Sequence, residues 1–147
     1  MRNHRHRVLA LVLALSLGEF GSTASASSEV KGAAILDHPC GKVSVKQMGL
    51  VHAGKMEEAN QLTTKEMQDQ WRAMPAQDRT MMSGMMQAMS QTEEAYGAAI
   101  KANGVLFVDG ANATLTVRKT AKDKSGSSTE TTTQKFKVDG DKCLISR

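Results

Sequence analysis

Apolar residues along this chain follow two different periods, one before and one after about residue 91. In the first part they recur every three or four positions, which places them on one side of a helix. In the second they alternate, which places them on one face of a strand. Asp37-His38-Pro39 marks a helix start, because proline is tolerated in a first turn, and the run carrying Val43, Met48, Leu50 and Val51 continues to Gly54. His38 reads as a cap of that helix. His52 falls in its last turn, where a partial positive charge suits the helix dipole. "KMEEANQL" (55–62) predicts a second, short helix. Thr63 with Glu66 three residues later has the spacing of a capping box for a third. Its Met67, Trp71 and Met74 share one side before Pro75 ends it, and the stretch 76–89 predicts a fourth.

In the second part "AYGAAI" (95–100) and "GVLFV" (104–108) are expected strands, with a turn at Asp109-Gly110. Ala113, Leu115 and Val117 face one way, and Thr114, Thr116 and Arg118 the other. Phe136 and Val138 point inward from the stretch 131–138, and Asp139-Gly140 turns the chain into a last strand at 142–147. The Ser-, Thr- and Lys-rich stretch 119–133 reads as a solvated hairpin arm, with an element reaching into a partner as the alternative. Helices followed by an antiparallel meander give an α+β fold, with the N-terminal helices packed on one face of a curved C-terminal sheet.

Residues 1–26 have neither period and read as a signal peptide. "MRNHRHR" is a basic leader, Val8 to Leu17 an apolar run of ten residues, and Ala24-Ser25-Ala26 a small-x-small cleavage site. A run of that length is too short for a bilayer, which needs about 20 residues, and no cysteine near the cleavage point offers a lipid anchor. The expected product is a periplasmic or secreted protein with no membrane anchor after cleavage. It comprises a flexible lead-in over 27–37 and one domain over 38–147. Cleavage removes three arginines and one glutamate, so the formal charge falls from +4 to +2. The remaining lysines are scattered and aromatics are few, which leaves no footprint for nucleic acid.

Cys40 and Cys143 are the two cysteines of the chain, and both survive cleavage. In an oxidising compartment an even count points to a disulfide between them, against the alternative of two separate buried thiols. There is no CxxC redox motif.

"HAGKMEEANQL" (52–62) resembles the helix–Gly–helix step of small exported NTF2-like (cystatin-like) domains. The meander "VDGANATLTV" (108–117) and "QKFKVDGDKCLIS" (134–146) resembles their C-terminal hairpins, with Cys143 where a tryptophan often stands. The resemblance covers roughly residues 38–147. It implies a cone-shaped α+β fold and says far less about function. Such relatives include isomerases and dehydratases that use a carboxylate and a tyrosine inside the cone.

Set against that expectation, the chain has one tyrosine, Tyr96, and one tryptophan, Trp71. Asp69 and Asp78 sit in polar helical company and read as solvated. No G-x-S-x-G, phosphate loop or H-E-x-x-H is present, and no pair of groups is marked for acid/base work. Asn112-Ala113-Thr114 matches a glycosylation acceptor. Catalysis and a bound cofactor are therefore not expected.

The unusual feature is "MMSGMMQAM" (81–89), with five methionines in nine positions. On a helix Met81, Met82, Met85, Met86 and Met89 lie at about 0°, 100°, 40°, 140° and 80°, all on one side. The first reading is the core-facing side of a helix packed on the sheet. The alternatives are a flexible face for a partner and a Cu(I) site of soft thioether ligands. Together these observations predict an exported, non-enzymatic protein that binds an as yet unidentified protein partner in the cell envelope, as an accessory or an immunity or inhibitor protein. A periplasmic Cu(I)-binding protein and a small-molecule binder or isomerase using the cone are the alternatives.

Overall fold

The computed structural model describes residues 27–147; the expected leader and its cleavage site lie outside them. His38 starts the first helix as anticipated. Its ring Nδ1 accepts a hydrogen bond of 3.1 Å from the Cys40 amide, which satisfies one of the free donors of a first turn. The helix, α1 (Pro39–His52), ends just before Gly54, whose φ of +73° lies in the region that glycine adopts freely. Then come α2 (Met56–Asn60), α3 (Lys65–Ala73), α4 (Ala76–Met89) and α5 (Glu93–Asn103). Pro75 separates α3 from α4 as predicted.

The sheet has five strands in the order β1 (Ser28–Lys31), β2 (Gly104–Asp109), β3 (Asn112–Asp123), β4 (Gly126–Asp139) and β5 (Lys142–Ser146). All neighbours are antiparallel, and the helices pack on one face, so the fold is α+β. Two apolar rows cross that inner face. One runs Val30, Leu106, Leu115 and ends at Gln134; the other runs Val108, Ala113, Phe136, Ile145. Ile35, Cys40, Tyr96 and Ile100 close over these rows from the helical layer. The predicted inward set Ala113, Leu115 and Val117 is buried, as is Phe136, with Val138 packed against the same cluster.

Three expectations are corrected. The segment "AYGAAI", expected as a strand, lies in α5. Thr92 caps that helix by accepting from the Ala95 amide at 3.1 Å, and Glu93 and Glu94 sit in its first turn where the dipole favours acids. The capping box expected at Thr63 does not form: α3 begins one residue later, at Lys65. Thr63 instead donates its hydroxyl to Asn60 O at 2.7 Å, and its backbone bridges Ile145. The Thr64 amide and Leu62 carbonyl bond to Ile145, covering the outer edge of β5. The lead-in over 27–37 forms β1 and a 3-10 helix (Gly32–Asp37). It carries a weak period because backbone pairing to β2 holds β1, while Ile35, fully buried, pins the turn that follows.

Cys40 and Cys143 form a disulfide, with Cα atoms 5.0 Å apart, tying the first turn of α1 to β5. α1 sits so close to the 3-10 helix that a β-carbon at Gly41 would lie 1.8 Å from the Ile35 carbonyl oxygen. Replacing both cysteines with alanine frees a loop whose ends are 103 residues apart. In the chain-entropy account this lowers the unfolding free energy by about 4–5 kcal/mol. The check is a large drop in the urea midpoint; an unchanged midpoint would contradict it.

Candidate functional site

The apolar rows of the sheet's inner face are covered by α1, α5 and the 3-10 helix, and α4 packs chiefly on α1 instead. It buries no residue. Arg79, Ser83 and Met86, at i, i+4 and i+7, are its half-buried line; on a helix Met81 falls about 160° from Arg79. Exposure follows that rotation: Met82 is 40%, Met85 58% and Met81 64% exposed, and Met89, at the helix end, 74%. The first reading of the stripe, a core-facing side, is therefore corrected. Met81, Met85 and Met89 face solvent and Met82 is partly exposed beside a cleft, because the aliphatic residues of the inner sheet already have their cover.

The contacts that hold the C-terminal end of α4 are polar. Gln87 Nε2 donates to the His52 carbonyl at 3.1 Å, and Ser90 Oγ lies 3.3 Å from His52 Nδ1. His52 thus anchors α4 rather than joining the methionines in a metal site, and His38 is engaged as a cap. Behind α4, Met82 and Met86 meet Met56, Met67, Met74 and Trp71 around a cleft of about 160 Å³. The predicted Met67–Trp71–Met74 side of α3 therefore lines this cleft. Trp71 Nε1 donates to Glu57 Oε1 at 3.1 Å across to α2.

Tyr96 belongs to a polar chain under the sheet. Its hydroxyl is 3.3 Å from Ser44 Oγ, and Ser44 Oγ is 2.5 Å from Gln134 Oε1. Gln134 Nε2 donates to Gln47 Oε1 at 2.8 Å. The serine has one proton and the amide oxygen can only accept. The donors therefore run Tyr96 to Ser44 to Gln134 to Gln47, and every link is used. Ser44 and Gln47 were legible in principle as polar residues at i+4 and i+7 from Cys40. Gln134 is the polar residue in phase with inward Phe136 and Val138.

Among the described residues no carboxylate enters this chain. Asp69 is paired with Lys65 and Arg72 on the exposed side of α3, and the hydrogen bond from Lys65 holds its carboxyl below the ordinary value. Asp78 is exposed in the first turn of α4. The arm at the ends of β3 and β4 is exposed over residues 118–122 and 124–133, and Asn112 accepts from Lys137 Nζ at 2.6 Å. No helix among the described residues is long and apolar enough to cross a membrane. Comparison with known proteins gives no match: no family model, curated protein or solved structure is significantly similar to this chain.

Burial pushes the Tyr96 phenol above its ordinary value of 10.0. A group with a raised folded value adds stability that is intact below the unfolded value and is lost as pH rises through the folded one. Tyr96 is the one tyrosine, so absorbance near 295 nm reports it alone. The native protein should ionise at higher pH than the protein in guanidinium, and its stability should decline above about pH 10. Coincident titrations would contradict the burial of this hydroxyl.

Proposed function

We propose that this protein is exported and acts without catalysis, by binding a protein partner through the methionine face of α4. The observation that carries the reading is the exposure of Met81, Met85 and Met89, spaced i, i+4 and i+8 on a helix with no buried residue. Exposed apolar side chains gathered on one helix side mark interaction surfaces. Methionine suits a face that must adapt to its partner, having three rotatable bonds and a polarisable sulfur. The surface fits an apolar groove on a partner, which would read the helix at i and i+4.

The basic leader and apolar run support export, and the disulfide fits an oxidising compartment, periplasmic or extracellular. An NTF2-like cone is the arrangement this reading assumes for the fold. Neutralising a toxin or enzyme, or assisting envelope maintenance, are the two roles such a face would serve. The fully paired Tyr96 chain, lacking a carboxylate, does not favour isomerase chemistry in the cone.

Crosslinking of the mature protein in periplasmic extract, followed by mass spectrometry, tests the reading. One dominant partner should be captured by wild type and by Met81→Leu/Met85→Leu. It should be lost in Met81→Lys/Met85→Lys with an unchanged circular dichroism spectrum. Undiminished capture by the folded lysine variant would overturn it.

A further inference from the structure

The nine methionines of the described chain all fall between Met48 and Met89. None is among the buried core residues, which are Ile, Leu, Val, Phe, Ala, Tyr, Trp and Cys, with Met48 packed at the core's margin. A cleft needing only apolar filling would draw on the same set as the core. This one is lined by Met82 and Met86 from α4, Met67 from α3, Met74 from its end, and Met56 from α2. Five methionine side chains from three helices thus line one small space. Long, flexible side chains can bring sulfur atoms together there without moving the backbone.

Thioether sulfur is a soft donor that selects Cu(I) and related ions over hard or borderline ones. Among the described residues no three His, Cys, Asp or Glu side chains come together, so a borderline divalent ion has no comparable place. A second observation points to a cation rather than an apolar ligand. Gln70, which also lines the cleft, carries the buried side-chain oxygen Oε1 that has no hydrogen-bond partner. An unpaired buried acceptor is costly, and a nearby positive ion offsets that cost where a hydrocarbon would not. Arg147 is the one charged residue on the wall, and it is exposed, so solvent screens its charge.

We propose that the cleft formed by Met56, Met67, Met74, Met82 and Met86 is a binding site for one soft monovalent metal ion, Cu(I) or its redox-inert analogue Ag(I). The site differs from the exposed stripe: Met82 and Met86 face it, whereas Met81, Met85 and Met89 do not line it. It stands independently of the partner reading, which depends on that outer face.

Trp71, the one tryptophan of the chain, lines the same cleft, so its fluorescence reports occupancy. The full mature protein is titrated with Ag(I) in chloride-free buffer, and with Cu(I) under anaerobic conditions against a chromophoric chelator. The expected result is a one-to-one change in Trp71 emission with sub-micromolar affinity, shared by both ions and absent with Zn(II). In Met67→Leu/Met86→Leu, a swap that keeps side-chain volume, affinity should fall at least tenfold with circular dichroism unchanged. If that pair does not fold, Met56→Leu/Met82→Leu serves the same purpose. No emission change, affinity weaker than micromolar, or an equal response to Zn(II) would overturn the proposal. So would binding that survives in the cleft variant and is lost in Met81→Leu/Met85→Leu/Met89→Leu, since that result moves the metal to the outer face.

Discussion

The disulfide between Cys40 and Cys143 fixes the first turn of α1 against β5, and the cover of the sheet's inner face follows from where it places that helix. With α1 held there, Cys40 and Ser44 are buried, Gly41 abuts the Ile35 carbonyl, and Val43 and Met48 pack at the margin of the core. The 3-10 helix is wedged between α1 and α5, so Ile35 and Ile100 complete a dry layer over Leu106 and Leu115. The closeness of α1 to the sheet also brings Ser44 within reach of Gln134 and Tyr96. The polar chain that results must be fully paired, because unpaired groups there would cost more than the bonds contribute.

A consequence of this economy is that α4 has no sheet surface left to cover. It rests on α1 through Met86 and polar contacts to His52, and its methionines divide between two surroundings. Met82 and Met86 turn toward the cleft beside Trp71, while Met81, Met85 and Met89 turn to solvent. One short stretch of sequence thereby supplies both a cleft lining and an outer face. Having no buried residue, α4 is held weakly enough to shift with a ligand or partner.

Much of this was readable from the chain, and the failures have physical causes. Alternation in β3 and β4 located the inner face, since a sheet with one dry side imposes a period of two. Proline, glycine and the histidine cap located α1 and the break between α3 and α4. α5 was missed because Tyr96 and Ile100 suit a strand locally, while the decisive signal, Thr92-Glu93-Glu94, precedes the apolar stretch. The inward phase of Gln134 was visible, but its partners on α1 and α5 are set by tertiary packing. The methionine stripe was misread at first because a helical pattern specifies which side is apolar and not what lies opposite. Only the layer already closed by Ile35 and Ile100 decides that.

Limited peroxide footprinting resolved by peptide mass spectrometry tests most directly whether the methionine side of α4 is an open surface. Thioether oxidation tracks access to sulfur. In the folded, disulfide-intact protein, Met81, Met85 and Met89 should become sulfoxides first, with Met86 and Met67 oxidising slowly until the protein is unfolded. Equal protection of Met81, Met85 and Met86 would mean that α4 packs on its methionine side, and would contradict the account.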